Sequence, residues 1–129
     1  ASAIGNGGIL MEPYLVDRIE SHTGSSVEKN MPRKYTELMT SQEASVLKDY
    51  MLKVVENGTA SALKSEKYVV AGKTGTAEYS SDKDKAHSWF MGFTNPDNPD
   101  LAISIVVESA DNSGMSAVSV AKKILNAYY

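Results

Sequence analysis

Lys73, Thr74, Gly75 and Thr76 stand side by side in the stretch VVAGKTGTAEYSS, Val69 to Ser81. An ammonium and two hydroxyls are thus gathered around a glycine. On an extended chain alternate side chains point the same way, so Thr74 and Thr76 share a side. Gly75 puts no side chain between them. Such an edge accepts an extended peptide by strand addition. Its hydroxyls and ammonium suit a carboxylate, and a free backbone N–H suits an oxyanion. Two plainer readings compete. A Gly-Lys-Thr-Gly run is also a turn with a solvated lysine. It also resembles the end of a phosphate loop, GxxxxGK[ST], but the opening glycine would have to be at Lys67, so that reading is rejected.

Other chemistries find less support. The chain has 129 residues, no cysteine and a net charge of −3. Disulfides, thiolate zinc sites and a cysteine nucleophile are excluded, and the charge argues against nucleic acid. His22 and His87 are the only histidines, so no metal site is expected. Asp82 and Asp84 resemble the start of a calcium loop, but the required glycine and late glutamate are missing. Asn57-Gly58-Thr59 has the pattern of a glycosylation acceptor and reads better as a helix stop. No apolar run reaches membrane-spanning length.

The elements that must position the lysine are legible in part. Ala3 to Gly8 reads as a helix end closed by glycines, and the start of the chain reads as the middle of a domain. Pro13–Ser21 reads as a strand, followed by a turn and a second short strand, as in a hairpin. Thr40 opens the clearest helix, with Glu43 completing a capping box. Its apolar stripe is Leu47, Tyr50, Met51, Val54 and Val55, and Asn57-Gly58 ends it. Thr59 to Leu63 suggests one further helical turn. Tyr68–Ala71 is a short strand that stops at Gly72, and Ala77–Ala86 a polar loop. His87–Thr94 and Leu101–Glu108 are further strands, joined by the turn NPDNPD. Leu101–Glu108 is nearly all apolar, which predicts burial on both faces. Ser116–Tyr129 closes as a helix with Ala117, Ala121, Ile124, Leu125 and Tyr128 inward. The strand links are too short for crossover helices, so the sheet should be antiparallel. The expected class is α+β, an antiparallel sheet with helices packed on it. Trp89 and Phe90 are read as core residues, and His87 as structural.

GKTGTAE (Gly72–Glu78), HSWFMGF (His87–Phe93), AISIVVE (Ala102–Glu108) and AKKIL (Ala121–Leu125), in this order, resemble the end of a penicillin-binding protein transpeptidase domain. AIGNGG with MEPYLVDRI, and VVENGTA (Val54–Ala60), extend the resemblance over nearly the whole chain. It implies a β-lactamase-like fold and no cofactor. Lys73 would supply positive charge and assist proton transfer. The hydroxyls of Thr74 and Thr76 would bind the carboxylate of a D-Ala-D-Ala stem peptide or of a β-lactam. The N–H of Thr76 would form half an oxyanion hole, and Gly75 would admit the substrate backbone. The reaction implied is acyl transfer through a serine ester, crosslinking peptidoglycan. The TAE continuation and the His-Ser before Trp89 favour the monofunctional enzymes over the bifunctional ones. The chain departs from the family at Val118-Ser119, where a proline often precedes the last helix.

That family also needs a nucleophile in S-x-x-K and an S-x-N. No S-x-N occurs here. S-x-x-K occurs at Ser26–Lys29, Ser45–Lys48, Ser61–Lys64, Ser80–Lys83 and Ser119–Lys122, each out of context, with Lys48 read as solvated. Residues 1–129 are therefore expected to be the C-terminal portion of such a domain, inactive alone, with the upstream part of the same protein completing the site. A membrane anchor outside this chain would hold the intact protein at the outer face of the bacterial membrane. A class D β-lactamase or β-lactam sensor is the competing enzyme-like reading, disfavoured by the GTAE continuation. A non-enzymatic module binding a partner through the KTG edge is the third.

Overall fold

A computed structural model describes residues 1–81, 85–110 and 114–129. Three helices and seven strands follow in the order α1 (Ser2–Gly5), β1 (Ile9–Met11), β2 (Arg18–Glu20), β3 (Ser26–Lys29), β4 (Lys34–Glu37), α2 (Ser41–Glu56), a 3₁₀ turn (Ser61–Leu63), β5 (Val70–Glu78), β6 (Ala86–Thr94), β7 (Ala102–Val107) and α3 (Ala117–Tyr128). Among the described residues no helix is long and apolar enough to cross a membrane.

The first quarter is a long two-stranded ribbon. β1 pairs with β4 and β2 with β3, both antiparallel. Backbone bonds from Glu12 N–H to Arg33 C=O and from Asn30 N–H to Asp17 C=O, each 2.8 Å, join the two segments. The expected hairpin is present, but Pro13–Ser21 is not one strand. Pro13 has no N–H to give a ladder, Leu15 is fully exposed, and only Arg18–Glu20 pairs. Gly8 anchors the ribbon to the body. Its φ is +94°, and a Cβ there would lie 2.1 Å from the Met39 carbonyl oxygen.

β5, β6 and β7 form the central sheet, in that order, all antiparallel. Cross-strand register places Val70, Gly72, Thr74 and Thr76 on one face with Phe90 and Ile105, and Ala71, Lys73 and Gly75 on the other with Phe93 and Trp89. The first face carries the larger core, where Val70 and Phe90 meet Leu63, Val55 and the α3 residues Ala117, Ala121 and Leu125. The second is covered by Met51 of α2, packed on Ala71 and Phe93 with Ile4 of α1 alongside. The sheet thus has helices on both sides. Gly72 is imposed by this packing, because a Cβ there would lie 2.5 Å from the Phe90 ring.

The helix ends match the sequence reading. Thr40 and Glu43 cap α2 reciprocally, and Ala60 N–H closes its far end on the Val54 carbonyl at 3.1 Å. Ser116 and Ser119 do the same for α3. Ser119, standing where a proline is often found, is thus a capping residue.

Four expectations about burial are corrected. Strand β7 is not buried on both faces. Ile103, Ile105 and Val107 are half-buried beneath α3, whereas Ala102, Ser104 and Val106 are exposed. The period of two is there, written in side-chain size rather than polarity. Ile124 and Tyr128 are exposed, because Ala117, Ala121 and Leu125 take the inner face of α3. Likewise Leu47 and Tyr50 lie outward on α2, and Ala44, Met51 and Val55 are its buried residues. Trp89 is 42% exposed while its neighbour Phe90 is fully buried, as adjacent strand residues face opposite sides.

Candidate active site

The Lys-Thr-Gly motif lies within a strand, not beyond its end. β5 runs from Val70 to Glu78, through Gly72, where the sequence pattern predicts a stop. Among the described residues it is an edge strand, with β6 on one side only. The bonds flanking the ladder fix which backbone groups face outward. Tyr79 N–H donates to the Lys85 carbonyl at 3.1 Å, and the Val69 carbonyl accepts from Asn95 N–H at 2.8 Å. In an antiparallel pair the bonded residues alternate, so odd-numbered residues between Val69 and Tyr79 bond to β6. The N–H and C=O groups of Gly72, Thr74, Thr76 and Glu78 therefore point to the outer edge.

Each expected site residue falls on this edge. Thr76 is exposed, with its N–H outward. Thr74 is half-buried, and its hydroxyl oxygen lies 2.6 Å from that of Thr59. Lys73 is exposed and its ammonium donates to the Thr74 carbonyl. Lys73 and the threonines do not share a face, since register sets them on opposite sides of the sheet. What they share is the outer edge, with the lysine reaching round to a carbonyl on it. Gly75 is exposed, and a Cβ there would stand 3.3 Å from Trp89 Cβ. The half-exposed Trp89 thus forms the floor beside Gly75.

The surroundings hold the edge in place. Ser88, directly across from Thr76, accepts a 3.0 Å hydrogen bond from Ala117 N–H, so the first residue of α3 is tied to the site strands. His87 is engaged on both sides. Its ring stacks on Tyr79 with centroids 4.5 Å apart, and its Nδ1 accepts from Ser109 N–H at 3.1 Å. A shallow pocket beside Thr76 is lined by His87, Ser88, Met115 and Ser116.

The S-x-x-K serines lie in unsuited places. Ser26 is on the exposed ribbon, Ser45 on the outer side of α2 and Ser61 in the 3₁₀ turn. The Ser119 hydroxyl is engaged with the Ser116 carbonyl at 2.7 Å. Lys48 is not solvated as expected. It is half-buried and donates to the Pro96 carbonyl at 3.1 Å. Lys83, Asp82 and Asp84 lie outside the described residues. Among the described residues no cluster of three or more His, Asp or Glu side chains is placed to hold a metal.

One participant was not found from the sequence. In the sequence Thr59 reads as part of a helix stop and of one further helical turn, because its approach to Thr74 across 15 residues of chain is tertiary and leaves no local spacing signal.

Comparison with known proteins bears on this edge. The family model of the penicillin binding protein transpeptidase domain matches residues 1–127. Peptidoglycan D,D-transpeptidase PbpA of Mycolicibacterium smegmatis is 30% identical over 84% of the chain, which spans 22% of that relative. Peptidoglycan D,D-transpeptidase MrdA of Haemophilus influenzae is 30% identical over 95% of the chain, which spans 21% of it. The chain thus spans about a fifth of these relatives' length. Among solved structures, the D,D-transpeptidase domain of a peptidoglycan glycosyltransferase from Eggerthella lenta superposes with a TM-score of 0.84 at 32% identity, over 98% of this chain and 29% of that one. Penicillin-binding protein A of M. tuberculosis, as its penicillin G acyl-enzyme complex, gives 0.77 at 27% identity over 98% of this chain and 28% of that one. The fold, the ordered motifs and a match over 127 residues agree that this chain belongs to the penicillin-binding protein transpeptidase domain family.

Proposed function

We propose that this chain supplies the carboxylate-binding and oxyanion-binding side of a peptidoglycan D,D-transpeptidase site. The observation that carries the reading is the free outer edge of β5, where the Thr76 N–H and the Lys73, Thr74 and Thr76 side chains come together. A stem peptide ending in D-Ala-D-Ala lies along that edge as an added strand. Its terminal carboxylate is held by the hydroxyls of Thr74 and Thr76 and by the Lys73 charge. The carbonyl under attack turns its oxygen to the Thr76 N–H, where developing negative charge is stabilised. A serine from the upstream part of the same protein attacks that carbonyl carbon, its hydroxyl proton passes to the departing nitrogen, and D-alanine leaves as the amine. A stem-peptide amine then displaces the serine oxygen and completes the crosslink. Lys73 assists the proton transfers through its ammonium. β-Lactams occupy the same edge and stay as the serine ester. The TAE continuation and the His-Ser before Trp89 favour the monofunctional kind. The protein works at the outer face of the bacterial membrane, anchored by a segment outside this chain.

The test is intact mass after incubation with a penicillin, for this chain and for the longer protein that carries it. The expected result is a mass gain in the longer protein only. A gain in the short chain would make one of its own serines the nucleophile and overturn the division of the site.

A further inference from the structure

Thr74 does not face its proposed ligand alone. The Thr59 hydroxyl oxygen lies 2.6 Å from its own, close enough for a strong hydrogen bond. We infer that Thr59 is a positioning residue that fixes the direction of the Thr74 hydroxyl proton and so makes Thr74 a donor to the substrate carboxylate. The inference rests on the reading of the β5 edge given above.

The argument is one of proton counting. A threonine hydroxyl has one proton and two lone pairs. Between Thr59 and Thr74 one proton lies in the bond. If it belongs to Thr74, only lone pairs face the cleft, and these repel a carboxylate. If it belongs to Thr59, Thr74 keeps its own proton to donate outward. A carboxylate only accepts, so it requires the second order. The result is a directed chain from Thr59 through Thr74 to the carboxylate, in which each bond polarises the next. The Lys73 ammonium, bonded to the Thr74 carbonyl, adds positive charge at the same residue.

Thr59 is held firmly enough for this role. It lies in the turn that ends α2, where Ala60 is fully buried and donates to the Val54 carbonyl, and Ser61 N–H donates to the Gly58 carbonyl at 3.2 Å. A Cβ at Gly58 would stand 2.9 Å from the Val54 backbone, so the turn presses against the helix. The hydroxyl is thus carried by the helix that also packs on β5 through Met51 and Ala71.

The experiment measures the rate of acylation, by intact mass, of the full-length protein carrying this chain. The probes are a penicillin and its methyl ester, which lacks the charged carboxylate. The wild-type protein should prefer the acid. Thr59→Val should lower the acid rate about fivefold while sparing the ester, the loss expected for one hydrogen bond between neutral groups. Thr59→Ser should restore the acid-to-ester ratio, and Thr59→Ala carries the test if valine disturbs the fold. A wild-type ratio in Thr59→Val and Thr59→Ala overturns the inference, as does an equal fall in both rates, which would make Thr59 merely structural. A wild-type protein indifferent to esterification overturns the carboxylate reading itself, and that outcome is distinct because it needs no variant.

Discussion

At the residue scale, on the proposed reading, the β5 edge separates two jobs assigned to one threonine. Thr76 presents a hydroxyl from its side chain and an N–H from its backbone, and substitutions can remove them one at a time. Thr76→Ala keeps the N–H and should weaken capture of the carboxylate. Thr76→Pro also removes the N–H, and because that group points away from β6 the ladder should survive, as proline is tolerated on sheet edges. Acylation by a penicillin is expected to fall by a further factor of about 10² to 10³ in Thr76→Pro relative to Thr76→Ala, with thermal unfolding little changed between the two. Gly72 makes a contrasting prediction. Its Cβ position falls 2.5 Å from the Phe90 ring, so Gly72→Ala should cost about 1–3 kcal/mol in urea unfolding through a displaced core aromatic. Lys73, Thr74, Gly75 and Thr76 were legible because an ammonium, two hydroxyls and a glycine stood together in one run. Thr59 was not, since nothing in Asn57-Gly58-Thr59 names its distant partner.

At the element scale, α2 sets the height at which Thr59 meets the strand, so its caps bear on the site. The Glu43 carboxylate accepts from the Thr40 N–H and hydroxyl, both at 2.8 Å, and these bonds hold its pKa below the usual carboxylate value. Thr40→Ala should destabilise the protein by about 1 kcal/mol, read from thermal or urea unfolding. The capping box was plain in the sequence because it is local, a threonine and a glutamate three residues apart. Strands β1 and β4 were missed for the opposite reason. Each is at most four residues long, Lys34–Glu37 carries charges at both ends, and the pairing spans the whole ribbon. Trp89 was placed in the core on its size, whereas register decided the matter. Phe90 took the covered face, and its neighbour was left on the other. The helix stripes erred similarly. On α2 Ala44 lies deepest and a reading by bulk passes over it, whereas the inward reading of Ala121 on α3 holds.

At the scale of the whole molecule, a polar knot closes the sheet against α3. Asp100 accepts from the Thr94 hydroxyl and the Tyr129 hydroxyl, both at 2.7 Å, and from the Asn95 amide at 3.1 Å. Tyr129 in turn packs on Tyr68, with ring centroids 5.2 Å apart. The hydrogen bond from Thr94, followed by that from Tyr129, holds the Asp100 carboxyl below its ordinary pKa. A group whose folded-state pKa is lowered contributes stability above its unfolded value, near pH 4 at roughly 3.9, and loses it as pH falls through the folded value. Unfolding midpoints should therefore fall on acidification below about pH 4. Asp100→Asn should flatten this dependence and lower the midpoint at neutral pH, both measurable by thermal melts across a pH series. The α+β architecture and its antiparallel sheet followed from short strand links, whereas this knot joins the end of β6, the loop after it and the residue after α3, and left no pattern to read.

The alternation of β5 also has an evolutionary consequence. The outward N–H of Thr76 belongs to the main chain, so nineteen of the twenty genetically encoded residues at that position retain it. On the proposed reading, mutation and selection can vary which carboxylate-bearing molecules the edge admits, antibiotic or stem peptide, without disturbing the group that activates the carbonyl. Drug sensitivity and catalytic competence are then written in separable parts of one residue, and a lineage under antibiotic pressure has room to change the first while inheriting the second.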